Sequence, residues 1–86
     1  EEMMRIVLCT TPTCPRCEMV KDHLRKLSLS WEEIDISTPE GLTNAAIDEG
    51  IHTRFAPVIK IGNIIVMDLF SGDKFNAGFI DGLVRQ

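Results

Sequence analysis

Two cysteines, Cys14 and Cys17, stand two residues apart in the stretch from Thr13 to Cys17. They follow an apolar strand pattern and open an amphipathic helix pattern, near the start of a β-α-β unit. A cysteine pair with this spacing in this context is typical of a redox-active dithiol. The alternative is half of a zinc site, but structural zinc needs four ligands and usually repeats the cysteine spacing. The sequence adds only Cys9 and two separated histidines, so it favours redox chemistry.

The helix pattern distinguishes the two thiols. Cys17 lies on an apolar stripe with Val20 and Leu24, so we expect it to be buried against a sheet. Cys14 lies at the helix tip within reach of solvent, where unpaired N–H groups and the positive end of the helix dipole favour a thiolate. Arg16 adds a nearby cation. A free cysteine has a pKa near about 8.5, and we expect the pKa of Cys14 to fall towards about 7.

The remaining patterns predict the elements that must position this dithiol. The first three are a strand from Met4 to Cys9, a helix from Cys14 to about Leu29 and a strand from Ser30 to Ile36. A helix capped by Ser37 or Thr38 and ending near Gly50 follows, then a hairpin of Val58 to Ile61 and Ile64 to Met67 around Gly62-Asn63. The last is a helix capped by Ser71 and bearing Phe75, Phe79 and Leu83. The order β-α-β-α-β-β-α predicts an α/β fold with a four-stranded mixed sheet and three helices, whose first two strands run parallel.

This order resembles the glutaredoxin branch of the thioredoxin superfamily over essentially the whole chain. The resemblance rests on Cys-Pro-Arg-Cys after the first strand and on Ala56-Pro57-Val58 at the start of the third. It implies the compact glutaredoxin form of the thioredoxin-like fold. It also implies that Cys14 is the attacking thiol and Cys17 the resolving thiol. The peptide bond before Pro57 would be cis, and Ala56 would present its backbone N–H and C=O to the substrate.

Four further residues complete the predicted site: Thr13, Pro15, Arg16 and Arg54. Thr13 is placed to hydrogen-bond near the thiolate, and Pro15 suits the first helical position, where no N–H is needed. Arg54 stands three residues before Pro57, where many glutaredoxins carry a basic residue. It is either a plain surface charge or an anchor for a ligand carboxylate.

The resemblance and the dithiol together predict a thiol–disulfide oxidoreductase that reduces protein or small-molecule disulfides through a Cys14–Cys17 cycle. No bound cofactor and no metal ligand are expected in this interpretation. Glutaredoxins carry a Gly-Gly pair after the hairpin, and this chain has none there, which leaves the electron donor open between glutathione and a thioredoxin-reductase-type protein. The alternative function is a metal or iron–sulfur binding module that uses the same two cysteines across a dimer.

Composition limits the other classes of function. The 86 residues carry thirteen acids and nine bases, a net charge of −4 without a basic run, so nucleic-acid binding is not expected. No apolar run approaches the ~20 residues that span a bilayer, and no membrane partner is expected. Three cysteines without a secretion signal favour a cytoplasmic protein, in which Cys9 is a buried small hydrophobe. We expect a monomer with one domain over residues 4–86, residues 1–3 being a tag or a disordered start.

Overall fold

The computed structural model describes residues 5–84 and is built around a four-stranded mixed sheet. Its strands are β1 (Ile6–Thr10), β2 (Glu32–Asp35), β3 (Val58–Ile61) and β4 (Ile64–Val66), in the order β2-β1-β3-β4. The helices are α1 (Pro15–Lys26), α2 (Pro39–Glu49) and α3 (Gly78–Val84). β2 runs parallel to β1, and the β1–β3 and β3–β4 pairs are antiparallel. The predicted mixed sheet and three helices are confirmed.

Two apolar cores enclose β1 from both faces, which is why its sequence is almost wholly apolar. Ile6 and Leu8 pack with Val20 of α1 and Ile80 of α3 on one face. Cys9 packs with α2 and β3 residues on the other, in a cluster of Ile36, Ala45, Ile51 and Val58. Each large apolar side chain buried in this way contributes about 1.5–3 kcal/mol. β1 is therefore a rigid base for the loop that follows it.

The ends of α2 follow from its sequence. Of the two capping alternatives, the structure selects Thr38, whose side-chain oxygen accepts a hydrogen bond from the Gly41 N–H at 2.9 Å. Pro39 then occupies the first turn, where its missing N–H is not needed. Gly50 ends the helix in the left-handed conformation (φ 71°) that favours glycine. Within residues 5–84, no helix combines the length and apolar character needed to cross a membrane.

The prediction that Ser71 caps the last helix was wrong. The chain forms a short hairpin there, with strands β5 (Phe70–Ser71) and β6 (Lys74–Phe75), and α3 begins only at Gly78. Phe75 therefore belongs to a strand, and its spacing from Phe79 does not mark a helix face. The turn is Gly72-Asp73, with Gly72 at φ 64°, and a Gly-Asp pair between two short strands is itself a hairpin signal.

Several element boundaries also differ from the prediction. α1 ends at Lys26 rather than near Leu29, and Ser28 after it has a left-handed backbone (φ 58°). β2 is shorter than the predicted Ser30 to Ile36, and Trp31 lies just before it with the Arg25 guanidinium over its ring. Met4, predicted to open the first strand, lies outside the described residues, as do residues 1–3, 85 and 86.

A buried carboxylate joins three parts of the fold. Glu49, the last residue of α2, is 6% exposed. It accepts hydrogen bonds from Arg5 at 2.8 and 2.7 Å and from Lys60 of β3 at 3.3 Å. The Arg5 hydrogen bonds hold the pKa of Glu49 below its ordinary value, and Lys60 adds to this effect against the opposing effect of burial.

We expect the Glu49→Gln variant to lose about 1–3 kcal/mol of unfolding free energy at pH 7, because charge-assisted hydrogen bonds are lost in a buried place. Folding lowers the pKa of Glu49. Its contribution to the unfolding free energy is therefore fully present above the pKa of the unfolded state, about 4.3, and is lost as the pH falls through the pKa of the folded state. Urea unfolding of both proteins between pH 7 and pH 2 measures this difference. The matched control is Asp48→Asn, an exposed neighbour that loses the same charge. An equal loss in both variants would contradict the prediction.

Candidate active site

The two cysteines of the motif lie where β1 turns into α1. Cys14 is the N-cap residue of α1 and Cys17 lies in its first turn, with 5.2 Å between their Cα atoms and a disulfide bond between their sulfurs. The backbone N–H of Cys17 donates to the Cys14 sulfur at 3.1 Å. Pro15 occupies the first turn, where its missing N–H leaves one fewer unpaired donor. The Cys14 sulfur thus accepts a hydrogen bond from the first turn of α1.

The loop before Cys14 has an unusual backbone. Thr13 is exposed and has φ 54°, the left-handed region that β-branched residues seldom adopt. Such a conformation costs on the order of 1–3 kcal/mol and is found disproportionately at functional sites. The structure places Thr13 next to the dithiol, as expected, and shows the sharp reversal of the chain that the sequence did not predict.

The two sulfurs differ in exposure as the helix pattern predicted. Cys17 is 1% exposed and lies on the buried stripe of α1, whereas Cys14 is partly exposed. A solvent-borne disulfide can therefore reach Cys14 and not Cys17. This contrast permits the Cys14 thiol to attack a sulfur of another molecule and the Cys17 thiol to attack the Cys14 sulfur.

Pro57 lies at the same end of the sheet. The peptide bond from Ala56 to Pro57 is cis, as the resemblance implied, and Pro57 is buried while Ala56 is partly exposed. The register pairs Cys9 of β1 with Val58 of β3. The residues just outside this pair, Thr10 and Pro57, therefore lie where the dithiol loop leaves the sheet.

Arg54 is placed differently from the residues around the dithiol. It is exposed in the loop before β3 and lines an open groove of about 580 Å³. The groove is also lined by Leu42, Ala46, Phe55 and Met67. Within residues 5–84, no hydrogen bond or ion pair joins Arg54 to the dithiol. Its role as a carboxylate anchor stays a prediction.

Arg16 contacts the hairpin that the sequence analysis missed. Its Nη2 donates to Asp73 Oδ1 at 3.2 Å, and its guanidinium lies 5.3 Å from the centroid of the Phe70 ring. Phe70 in turn stacks on Phe75, with ring centroids 5.3 Å apart. The β5–β6 hairpin therefore contacts the Arg side chain of the Cys-Pro-Arg-Cys motif, and the Gly72-Asp73 turn was the signal that could have located the hairpin.

A charged network fastens α1 to the sheet behind the dithiol. Lys21, one turn after Cys17, contacts Glu33 of β2 at 3.0 Å and donates to Glu18 at 3.0 Å. The buried Thr10 hydroxyl donates to the same Glu33 carboxylate at 3.0 Å. Burial alone would raise the pKa of Glu33, but the hydrogen bonds from Lys21 and Thr10 outweigh it and hold the pKa below its ordinary value. Sequence reasoning missed this network, because its partners come from separate elements.

Cys9 is wholly buried within β1, as predicted. Burial, and secondly the charge of Glu49, raises the pKa of its thiol to about 11. Thiolates are the reactive form of cysteine, so Cys9 is inert at neutral pH.

The sequence model of the Glutaredoxin family matches residues 6–66, a range that contains both cysteines and Pro57. The chain belongs to the glutaredoxin family. It is 30% identical to an uncharacterized glutaredoxin-like 8.6 kDa protein in the rubredoxin operon of Clostridium pasteurianum, over 94% of this chain and 99% of that protein. Membership of this family supports thiol–disulfide oxidoreductase chemistry in general.

Solved structures of thioredoxin-like proteins share the fold. A mutant of the thioredoxin-like protein BC3987 superposes with a TM-score of 0.70 at 21% identity, over 96% of this chain and 97% of that one. A glutaredoxin from Archaeoglobus fulgidus superposes with a TM-score of 0.68 at 20% identity, over 98% of this chain and 89% of that one. The thioredoxin-like fold inferred from the sequence is confirmed.

We expect Cys14 to be the most reactive thiol of the reduced protein. The N–H groups at the start of α1 should hold the pKa of the Cys14 thiol below that of a free cysteine, whereas burial protects Cys17 and Cys9. Limited alkylation at pH 7 with peptide mass mapping should label Cys14 first. The Cys17→Ser variant isolates this thiol for titration by its thiolate absorbance, and a pKa at or above about 8.5 would contradict the prediction.

Proposed function

We propose that this glutaredoxin-family chain reduces protein or small-molecule disulfides through a cycle of its Cys14–Cys17 pair. One observation carries the proposal: the partly exposed Cys14 at the helix N-terminus is disulfide-bonded to the buried Cys17. The exposed position suits the attacking thiol and the buried position the resolving thiol.

The cycle has two exchange steps. The Cys14 thiolate attacks one sulfur of a substrate disulfide, that S–S bond breaks, and the departing thiolate takes a proton from solvent. Cys17 then loses its proton and attacks the Cys14 sulfur in the mixed disulfide, which releases the second substrate thiol. The substrate gains two electrons, and the Cys14–Cys17 disulfide holds the oxidised state until a donor returns two electrons.

The Cys14–Cys17 bond is better suited to being made and broken than to stapling the fold. Loop-closure entropy assigns only about 2 kcal/mol to a four-residue loop, against nearly 5 kcal/mol for a loop of 100 residues. The two apolar cores contribute to stability independently of this bond. Cys14 is also partly exposed, which suits attack on the disulfide by a reducing thiol.

The proposed substrate site extends from the dithiol towards Pro57. An extended peptide or a glutathione strand would lie against the backbone N–H and C=O of Ala56, which is partly exposed at the same end of the sheet. We assign Thr13, the exposed residue before Cys14, to the same proposed surface. The donor is glutathione or a thioredoxin-reductase-type protein, and the working compartment is the cytosol.

The metal-binding alternative gains no specific support. Within residues 5–84, no group of three or more His, Cys, Asp or Glu side chains is placed to hold a metal ion. A site shared between two copies would give iron in stoichiometric amounts after anaerobic purification, together with a coloured protein, and that result would replace the redox proposal.

We expect the Cys14→Ser variant to abolish turnover of hydroxyethyl disulfide, because no other thiol is both exposed and activated. The Cys17→Ser variant should still attack and should accumulate a mixed disulfide, visible as an added mass that dithiothreitol removes. The control is Cys9→Ser, which changes a buried cysteine and should keep the wild-type rate. Full turnover by Cys14→Ser would reject the proposed cycle.

The donor is decided by a direct comparison. The oxidised protein is mixed either with glutathione, glutathione reductase and NADPH, or with a thioredoxin reductase and NADPH. NADPH consumption in one mixture and not in the other identifies the donor.

A further inference from the structure

Arg16 is the only cation within the Cys-Pro-Arg-Cys motif, and its donors are largely unused by the described residues. A guanidinium presents five N–H donors in a planar fork that fits a carboxylate through two hydrogen bonds. Here a single bond, from Nη2 to Asp73 at 3.2 Å, engages it, at the long end of the ordinary range. The side chain is 49% exposed, so a dissolved anion can reach the rest of the fork.

The aromatic rings beneath Arg16 contact one another and α1. Phe70 lies under the guanidinium and stacks on Phe75, and Phe75 meets the ring of His23 edge-on, with centroids 5.5 Å apart. His23 of α1 is hydrogen-bonded to Asp81 of α3 at 2.8 Å. The Phe70 ring, on which the guanidinium lies, is thus connected through Phe75 and His23 to α1 and α3.

Asp73, by contrast, stands at the tip of the hairpin turn. Its carboxylate is fully exposed, and exposed ion pairs contribute little net stability, since water and salt compete for both charges. Replacing one carboxylate on Arg16 by another therefore costs little. An incoming carboxylate can take two donors where Asp73 takes one.

We infer that Arg16 is a binding site for the carboxylate of an acidic disulfide substrate, and that Asp73 is a positioning residue which occupies Arg16 until that substrate displaces it. The inference rests on the proposed function for the identity of the substrate, but the site itself is testable without turnover. It assigns to the hairpin a part in substrate choice. Acidic disulfides bind after Asp73 is displaced, and neutral ones do not engage the pair.

The test uses two reagents that differ chiefly in charge, iodoacetate and iodoacetamide. Both alkylate the Cys14 thiolate, so the ratio of their rate constants does not depend on the thiolate fraction. The ratio is measured at low ionic strength in four proteins that all carry Cys17→Ser, so that Cys14 is the reacting thiol. The first protein carries Cys17→Ser alone. The second adds Asp73→Asn, the third adds Arg16→Gln, and the fourth adds both substitutions.

Asp73→Asn should raise the iodoacetate to iodoacetamide ratio about fivefold when Arg16 is present, the size of a good surface ion pair. In the Arg16→Gln background, Asp73→Asn should raise the iodoacetate to iodoacetamide ratio only about twofold, the effect of removing one nearby surface charge. Equal gains in the two backgrounds would show simple repulsion by Asp73 and would overturn the inference, as would no gain at all. The control Asp68→Asn removes the same charge from an exposed position outside the Arg16 contacts and should change the ratio less than twofold.

Turnover of dithiodiglycolate against neutral hydroxyethyl disulfide extends the test to the proposed function. With Cys17 intact, Asp73→Asn should raise kcat/KM for the anionic disulfide about fivefold and leave the neutral one unchanged. If the wild type turns over neither disulfide while the alkylation ratios behave as expected, the proposed reductase function fails and the anion site stands. If both disulfides turn over and Asp73→Asn changes neither their rates nor the alkylation ratios, the reductase stands and the anion site fails.

Discussion

The site depends on the unpaired N–H groups at the start of α1. A helix leaves its first four N–H groups without carbonyl partners, and something else must accept from them. Here Pro15 removes one donor and the Cys14 sulfur accepts from the N–H of Cys17. A sulfur in that place gains more as a thiolate than as a thiol, since an anion suits the positive end of the helix dipole. The local geometry that caps the helix is therefore also the one that we propose activates the thiol.

The rest of the fold holds this helix end in place. β1 is buried on both faces and delivers the chain to the dithiol loop, while β3 brings Pro57 to the same edge. The Lys21–Glu33 contact ties the helix to β2 close behind Cys17, and the Arg5–Glu49–Lys60 network joins α2 to the sheet. Cys17 is buried where α1 packs against the sheet. The difference between the two thiols is therefore a property of tertiary packing as well as of the helix.

Features with a local sequence signal could be predicted, and features that join distant residues could not. The Cys-Pro-Arg-Cys stretch, the Thr38-Pro39 helix start and the Gly62-Asn63 hairpin each depend on residues within one turn of each other. The Arg16–Asp73 pair spans 57 residues, and nothing in either neighbourhood indicates the other. The hairpin that carries Asp73 was missed because an apolar spacing of four fits a strand followed by a helix as well as one continuous helix. Of the residues named by the family resemblance, Cys14, Cys17 and Pro57 lie at one end of the sheet, whereas Arg54 lines a groove in the loop before β3.

The Arg16–Asp73 pair bears on the choice of electron donor. The chain has no Gly-Gly pair after its β3–β4 hairpin, and the Gly72-Asp73 turn supplies the carboxylate that contacts Arg16. A carboxylate paired with a guanidinium attracts an ammonium group less than a free one does, because the two charges largely cancel at a distance. Glutathione carries one ammonium and two carboxylates, so opening the pair would offer a partner for each kind of charge. A protein donor needs no such exchange, since it can meet the paired surface as it stands. We therefore expect the Arg16–Asp73 pair to matter more for reduction by glutathione than for reduction by a protein donor.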